Sequence, residues 1–165
     1  MNRMDEDLVN RIVTSIPSLR SKFIGVIPKN QNIIKHVHNK RGDRALIVNT
    51  DKYGEKGTHW VAIYANHDTV FYFDSYGVNP SNDSYIMSLI NSFGRQYVVF
   101  SNVQIQSLFS YVCGLYCIYF LYIMSKKMID FDNFIDLFIN NCKINDDNIR
   151  CVFSEIFVKF KKTMI

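Results

Sequence analysis

A cysteine at the predicted start of an apolar helix is the strongest candidate for chemistry in this sequence. Polar residues precede Cys113, and the segment 115–124 that follows it is apolar on every side. A helix that is apolar all round is buried in the middle of a fold. The aligned peptide dipoles at the N-terminus of such a helix lower the pKa of a cysteine placed there. Cys113 is therefore a candidate nucleophile, and the alternative is a core cysteine that packs as a small apolar side chain.

A histidine and an aspartate stand at the ends of a predicted β-hairpin. His59 opens the strand 59–64 and Asp74 closes the strand 69–74, with a turn at 65–68. In a hairpin with a short turn, the start of the first strand lies beside the end of the second. We therefore expect His59 and Asp74 to lie close together. A carboxylate paired with an imidazole fixes its tautomer and stabilises the imidazolium, as a cysteine nucleophile requires of its base.

A glutamine in the loop before the helix completes the candidate set. The side-chain amide of Gln106 could join the backbone N–H of Cys113 in binding a developing oxyanion. Each of these residues also has an ordinary interpretation, as a surface histidine, a turn carboxylate or a loop glutamine. Their occurrence together at compatible places favours catalysis. A zinc site at Cys113 and Cys117 is disfavoured, because no second ligand pair with metal spacing accompanies them.

The pattern of the chain predicts a single α+β domain over residues 1–165, with a small central mixed or antiparallel sheet flanked by helices. The nucleophile is expected at the N-terminus of a buried central helix. Segment 18–43 is expected to be irregular. The other predicted elements are a first helix capped by Asp5 or Asp7 and ended by Pro17, strands at 45–48 and 96–100 with a further short one at 103–105, a helix at 81–93 capped by Ser81 or Asn82, and helices at 132–141 and 146–162.

Composition and charge limit the classes of function. The chain has 165 residues, of which 48% are hydrophobic and 21% charged, as in a globular protein. Its net charge of +4 is too small to indicate a nucleic-acid binder. The four cysteines all lie in the C-terminal third, which favours a reduced, intracellular protein. The basic cluster 35–44 is expected to be a solvated loop, with a docking site for an acidic partner as the alternative.

No membrane association is expected. The first residues lack the apolar core of a secretory signal. The longest apolar run, 111–124, is shorter than the roughly 20 residues that a membrane-spanning helix needs.

The ordered set of motifs resembles the adenovirus-type cysteine protease (adenain), of the clan of ubiquitin-like-protein proteases. The resemblance extends over about residues 23–120 and keeps the spacing from the glutamine to the cysteine. The matching segments are 23–25 (Phe-Ile-Gly), 45–50 (Ala-Leu-Ile-Val-Asn-Thr), 57–62 (Gly-Thr-His-Trp-Val-Ala), 72–77 (Tyr-Phe-Asp-Ser-Tyr-Gly) and 106–117, which contains Cys-Gly-Leu-Tyr-Cys.

The resemblance implies a role for each candidate residue. Cys113 is the implied nucleophile, and His59 the general base and later the acid. Asp74 takes the orienting position, where the adenovirus enzyme has Glu and other clan members have Asp. Gln106 helps to form the oxyanion hole. Trp60 corresponds to the aromatic side chain that walls the cleft beside the histidine, and the alternative is a partly buried strand tryptophan.

The resemblance also implies a function: a monomeric cysteine endopeptidase that cleaves viral precursor proteins during particle maturation, preferably near glycine. The expected locations are the host cell, including the nucleus, and the virion. The sequence requires no cofactor, although activation by DNA or a viral peptide is left open. A disulfide-linked peptide activator is not expected, because no cysteine precedes Cys113. The alternatives are removal of ubiquitin or ubiquitin-like tags from host proteins, a catalytically silent binding module, and acyl transfer onto a host protein.

Overall fold

The computed structural model describes residues 5–37, 42–52 and 58–161, with side chains described as far as residue 155. The helices are α1 (Glu6–Ser15), α2 (Ile34–Val37), α3 (Ser84–Ser92), α4 (Cys113–Lys126), α5 (Phe131–Ile135) and α6 (Cys142–Lys161), with a 3-10 turn at Pro80–Asn82. The strands are β1 (Phe23–Pro28), β2 (Arg44–Asn49), β3 (Trp60–Ala65), β4 (Thr69–Phe73) and β5 (Tyr97–Phe100).

The five strands form one mixed sheet in the order β1-β2-β3-β4-β5. The inner pairs, β2 with β3 and β3 with β4, are antiparallel, whereas the edge strands β1 and β5 pair in parallel with their neighbours. In the hairpin of β3 and β4, Ala62 pairs with Phe73. Extended by one pair, this register sets Asp74 opposite Val61, so His59 lies two residues beyond the position that faces Asp74. The predicted α+β class, with a mixed sheet flanked by helices, is confirmed.

Both faces of the sheet are covered by helices, so the inner strands are apolar over residues 45–48, 60–65 and 70–73. On β3, Trp60 and Tyr64 belong to the core that contains α1 and α4, and Val61 and Ile63 belong to the core that contains α3. This division follows from the alternation of side chains along a strand. A strand buried on both sides has no polar face, as the segment after His59 shows.

The central helix α4 is buried on all sides, as its composition predicts. Its buried residues include Leu115, Tyr116 and Leu121, none more than 1% exposed. Aromatic rings fix it between the sheet and α5: the Phe120 ring centroid lies 4.9 Å from that of Phe73 and 5.4 Å from that of Phe134. The helix begins at Cys113 with no side-chain cap, so no side chain occupies its first N–H groups.

The N-terminal segment contains a strand that the sequence analysis missed. Residues 23–28 form β1 rather than irregular structure. Gly25 has φ +145°, and the parallel register with β2 shifts between Phe23 and Val26. Pro28 ends the strand. The irregular backbone at Gly25 and the proline at the end of β1 obscure the strand pattern in the sequence. An edge strand tolerates both, because the backbone groups on its outer side have no neighbouring strand to bond.

Segment 103–105 is not a strand, contrary to expectation. Its backbone turns toward the residue that follows Asp74: the N–H groups of Ile105 and Gln106 donate to the carbonyl of Ser75, at 2.9 and 3.0 Å. The segment has the right apolar alternation, with Ile105 buried and Val103 exposed, but no adjacent strand to pair with.

Several predicted helix boundaries were also wrong. Asp83, rather than Ser81 or Asn82, caps α3 by accepting hydrogen bonds from two backbone N–H groups. The helix expected at 132–141 is only the short α5. The last helix begins at Cys142 rather than Asp146, because the side chain of Asn141 accepts the N–H of Ile144 at 3.2 Å.

Parts of two other predictions lie outside the described residues. Residues 38–41 of the basic cluster are not described, whereas Lys35 and His36 are exposed on α2. The apolar stripe of the last helix has Ile149 and Phe153 buried, and its side chains from 156 onward are not described. No helix in the described part of the chain is long and apolar enough to cross a membrane.

Substitution of Gly77 should test how tightly the turn after β4 packs against the segment before Gln106. Gly77 has φ +69°, and a Cβ there would lie 2.7 Å from the backbone oxygen of Asn102. We expect Gly77→Ala to lower the free energy of unfolding by about 1 to 2 kcal/mol for the left-handed conformation. The steric overlap should add a further ~1 to 3 kcal/mol. Urea unfolding measures the sum.

Gly94→Ala is the matched control. Gly94 also has positive φ, +60°, but a Cβ there would meet nothing within 4 Å. It should show only the conformational cost. Equal losses for the two variants would mean that the turn does not press on Asn102.

Candidate active site

The hairpin places His59 and Asp74 in direct contact. His59 Nε2 lies 2.8 Å from Asp74 Oδ1, and the carboxylate is buried, with Asp74 only 5% exposed. The backbone N–H of Tyr76 donates to the same Oδ1 at 2.8 Å, and the Tyr72 hydroxyl lies 3.5 Å from Oδ2. These donors hold the carboxylate in place, and it in turn holds one edge of the imidazole.

The other edge of the imidazole carries no hydrogen bond: among the described residues, His59 Nδ1 has no partner. Cys113 is the thiol whose pKa the imidazole influences. Burial alone would lower the pKa of His59, but the hydrogen bond that its ring donates to Asp74 and the interaction with Cys113 outweigh it and raise the pKa to about 9. Burial alone would raise the pKa of Cys113, but His59 and the backbone N–H groups of Trp60 and Gly114 outweigh it and lower that pKa.

Opposite shifts in the two pKa values describe an ion pair. Between the lowered pKa of Cys113 and the raised pKa of His59, the favoured state is thiolate with imidazolium. The thiolate is the nucleophilic form of cysteine, and the imidazolium is a proton donor held beside it. The arrangement can therefore attack an electrophilic carbon and protonate the group that leaves.

Gln106 lies beside this centre but is fully buried and hydrogen-bonded. Its Oε1 accepts from Ser75 Oγ at 2.5 Å, and its Nε2 donates to the carbonyl of Ser110 at 3.0 Å. Nε2 also lies 3.4 Å from the Tyr76 hydroxyl, whose ring covers His59. For Gln106 to serve an oxyanion, its amide would have to exchange the bond to Ser110 for one to substrate.

Tyr76 is a residue of the site that the sequence analysis did not assign. Its ring stacks on the imidazole of His59, with centroids 4.3 Å apart and planes inclined by 23°. It comes two residues after Asp74, in the segment 72–77 that matches the family motif. In the sequence, the pair Tyr76-Gly77 is the feature that could have indicated this residue. The structure adds that the chain makes a tight turn here, in which Gly77 N–H donates to the Asp74 carbonyl, and that the Tyr76 ring lies over His59.

Trp60 contributes through its backbone more than through its ring. The side chain is 6% exposed and belongs to the core between β3 and α4, so it offers little surface to a substrate. Its carbonyl accepts a hydrogen bond from Cys117 Sγ at 3.4 Å. Cys117 is fully buried, and burial raises the pKa of its thiol well above the usual value. Cys117 therefore packs as part of the core.

The described residues contain no metal centre. No three His, Cys, Asp or Glu side chains in this part of the chain lie close enough to hold an ion. All four cysteines are free.

Comparison with known proteins supports a protease fold. No family model matches the chain. A thiol protease of Acanthamoeba polyphaga mimivirus is 34% identical over 89 residues, which cover 46% of this chain and 29% of that protein. The crystal structure of the ASFV protease aligns with a TM-score of 0.57 at 14% identity, over 85% of this chain and 65% of that one. ChlaDub1 from Chlamydia trachomatis aligns with a TM-score of 0.63 at 12% identity, over 98% and 93%.

These comparisons establish the fold. The chain spans less than a third of the mimivirus relative. Its sheet and helices have the arrangement found in the structural neighbours. The comparisons do not single out the adenovirus enzyme.

Alkylation of Cys113 as a function of pH should reveal the ion pair. The lowered pKa of Cys113 predicts faster iodoacetamide labelling at neutral pH than an ordinary thiol shows, with a rate that falls as the pH falls through that pKa. In His59→Ala the imidazolium is lost, so the midpoint should move up toward roughly 8.5, the value of an ordinary thiol. Labelling is followed at Cys113 itself by peptide mass spectrometry.

Cys151 provides an internal control, because it is exposed and lies on a different element. Its labelling profile should be the same in both proteins. Identical Cys113 profiles with and without His59 would exclude the ion pair.

The stack of Tyr76 on His59 should also affect labelling. An aromatic pair contributes about 0.5 to 1.5 kcal/mol. We therefore expect Tyr76→Ala to slow the neutral-pH alkylation of Cys113 by roughly 2- to 10-fold, because the imidazolium loses the ring that covers it. Tyr76→Phe keeps the ring and should react as the wild type does. Equal loss in both variants would assign the effect to the hydroxyl rather than to the stack.

Proposed function

We propose that this protein is a cysteine endopeptidase that uses Cys113 as nucleophile, His59 as acid and base, and Asp74 to orient His59. The observation that carries the proposal is the position of one largely buried imidazole, held by the Asp74 carboxylate at Nε2 and facing the thiol at the start of α4. A structural histidine would need neither a buried carboxylate nor a cysteine whose pKa it lowers.

The proposed reaction is acyl transfer in two steps. The Cys113 thiolate attacks the scissile carbonyl carbon, and the oxygen becomes an oxyanion bound by the uncapped N–H groups of α4 and by Gln106. The imidazolium of His59 gives its proton to the leaving amine, and an acyl-enzyme thioester forms. Neutral His59 then takes a proton from water, which attacks the thioester and releases the carboxylic acid product. Asp74 supports the imidazolium whenever it forms.

A polypeptide substrate is supported by the surface beside the nucleophile. The loop before Cys113 exposes three large apolar side chains, those of Leu108, Phe109 and Tyr111, which are 65%, 94% and 71% exposed. Exposed apolar side chains next to a reactive group suit the binding of an extended peptide segment.

For the biological substrate we propose viral precursor proteins, cleaved near glycine during particle maturation in the host cell and virion, as in the adenovirus-type enzymes. The name of the mimivirus relative supports a viral thiol protease. The glycine preference is supported by the resemblance alone, since the Trp60 ring is buried. Activation by DNA or a viral peptide is part of this proposal.

A second candidate keeps the chemistry and changes the substrate: cleavage after the terminal Gly-Gly of ubiquitin or a ubiquitin-like protein. The alignment with ChlaDub1, a deubiquitinase by name, over nearly the whole of both chains favours it.

Proteolysis of two substrate sets separates these candidates. Virion precursor proteins and ubiquitin-like fusions are incubated with the wild type and with Cys113→Ala, and the variant should cleave neither set. Cleavage that persists in Cys113→Ala would contradict the proposal. So would a wild type that cleaves nothing even with DNA and viral peptides added.

The proteolytic activity of the wild type should fall above about pH 9, because His59 then loses the proton that the leaving amine needs.

The variant Gln106→Ala should lower kcat by roughly 100-fold or more without slowing the alkylation of Cys113.

A further inference from the structure

The N-terminal part of α6 is attached to the backbone on both sides of Gln106. Asp146 Oδ2 accepts the N–H of Ser107 at 3.2 Å. Its other oxygen, Oδ1, accepts from the Tyr116 hydroxyl at 3.0 Å, and that hydroxyl also lies 3.3 Å from the carbonyl of Ile105. One carboxylate thus contacts the residue after Gln106 directly and the residue before it through a tyrosine.

The neighbouring residue of α6, Asn145, also bonds to the backbone of the loop before Cys113. Asn145 Nδ2 donates to the carbonyl of Ile105 at 3.1 Å and to that of Ile139 at 2.8 Å. Its Oδ1 accepts the N–H of Ile139 at 3.1 Å. Asn145 and Asp146 are 2% and 4% exposed, so these bonds are shielded from water. Three buried polar side chains, those of Asn145, Asp146 and Tyr116, thus bond to the backbone of residues 105 and 107 and restrict the path of this loop.

The turn after Asp74 holds the same loop from the opposite side. The carbonyl of Ser75 accepts the N–H groups of Ile105 and Gln106, and Ser75 Oγ donates to Gln106 Oε1. Gln106 is therefore fixed between this turn and α6. The turn also carries Asp74, which orients His59, so a change in the turn would affect both His59 and Gln106. The contacts of α6 reach the loop at Gln106 without involving His59.

We propose that Asp146 is a positioning residue for the oxyanion hole: through Ser107 and Tyr116 it sets the place of the Gln106 amide relative to Cys113. This inference rests on the proposed function, in which Gln106 binds the oxyanion. A carboxylate is costly to bury unless it is hydrogen-bonded. Asp146 makes its hydrogen bonds to Ser107 and Tyr116, and not at the N-terminus of α6, which Asn141 caps. Asp146 touches neither the imidazole nor the thiol, so its effect should be confined to the oxyanion.

The variant Asp146→Asn tests the proposal, because it keeps the shape and removes the charge. Asp147→Asn is the matched control: it makes the same change one residue along α6, at an exposed position. We expect Asp146→Asn to lower kcat by roughly 10- to 100-fold, since small misplacement of a catalytic group has effects of this size. KM should change by less than about threefold, and the pH profile of Cys113 alkylation should not move. The control should behave as the wild type does.

A double variant distinguishes positioning from a general loss of structure. In Gln106→Ala the residue that Asp146 positions is absent, so adding Asp146→Asn should cause no further loss of kcat. An undiminished further loss, or a displaced alkylation profile, would overturn the proposal. Should Asp146→Asn fail to fold, Tyr116→Phe keeps the ring and removes the bridging hydroxyl. It should give a smaller loss of kcat with the same unchanged alkylation profile.

Amide hydrogen exchange tests the inference without any substrate. The N–H groups of Ile105 and Gln106 bond to Ser75 and not to Asp146, so their exchange reports the loop rather than the deleted contact. We expect faster exchange at both in Asp146→Asn, with no change in α4. Unchanged exchange would overturn the positioning role even if the wild type cleaved no protein. Faster exchange without wild-type proteolysis would support the positioning and count against the proposed function alone.

Discussion

The site depends on one constraint: a largely buried imidazole can stay protonated only beside a fixed negative charge. Burial disfavours the charged ring, and the Asp74 carboxylate offsets that penalty. The carboxylate is itself buried, so it must be supplied with donors, which are His59, the backbone of Tyr76 and the hydroxyl of Tyr72. Everything that holds Asp74 in the turn after β4 therefore contributes to the charge state of the cysteine.

The turn at residues 74–77 serves both halves of the chemistry. Asp74 bonds to Nε2 of the His59 imidazole, and the Tyr76 ring stacks on its face. Ser75 binds both the side chain and the backbone of Gln106. Gly77 lets the chain pass close to the backbone of Asn102, where a side chain would not fit. Four consecutive residues thus couple His59 to the loop that precedes Cys113.

The helix α4 supplies the remaining geometry through its burial. Because it is apolar on all sides, it packs between the sheet and the later helices, and its first residue is held against the start of β3. There the backbone N–H of Trp60 adds to the effect of the helix terminus on Cys113. The loop that leads into α4 is the less regular part of the site. It lies between the turn after β4 and the N-terminal part of α6, and side chains from both hold it.

The sequence alone determined the features that follow from local pattern. The predicted hairpin of β3 and β4 puts His59 and Asp74 at the same end of the sheet, and the composition of α4 requires its burial. Only the tertiary structure decided the position of Tyr76 over the imidazole, the burial of the Trp60 ring, and the bonds of Asn145 and Asp146 to the loop before Cys113. Each of these depends on how elements distant in sequence pack. Asp146 illustrates the reason: a carboxylate near a helix start is usually a cap, and only packing against Tyr116 shows that it is buried and bonded elsewhere.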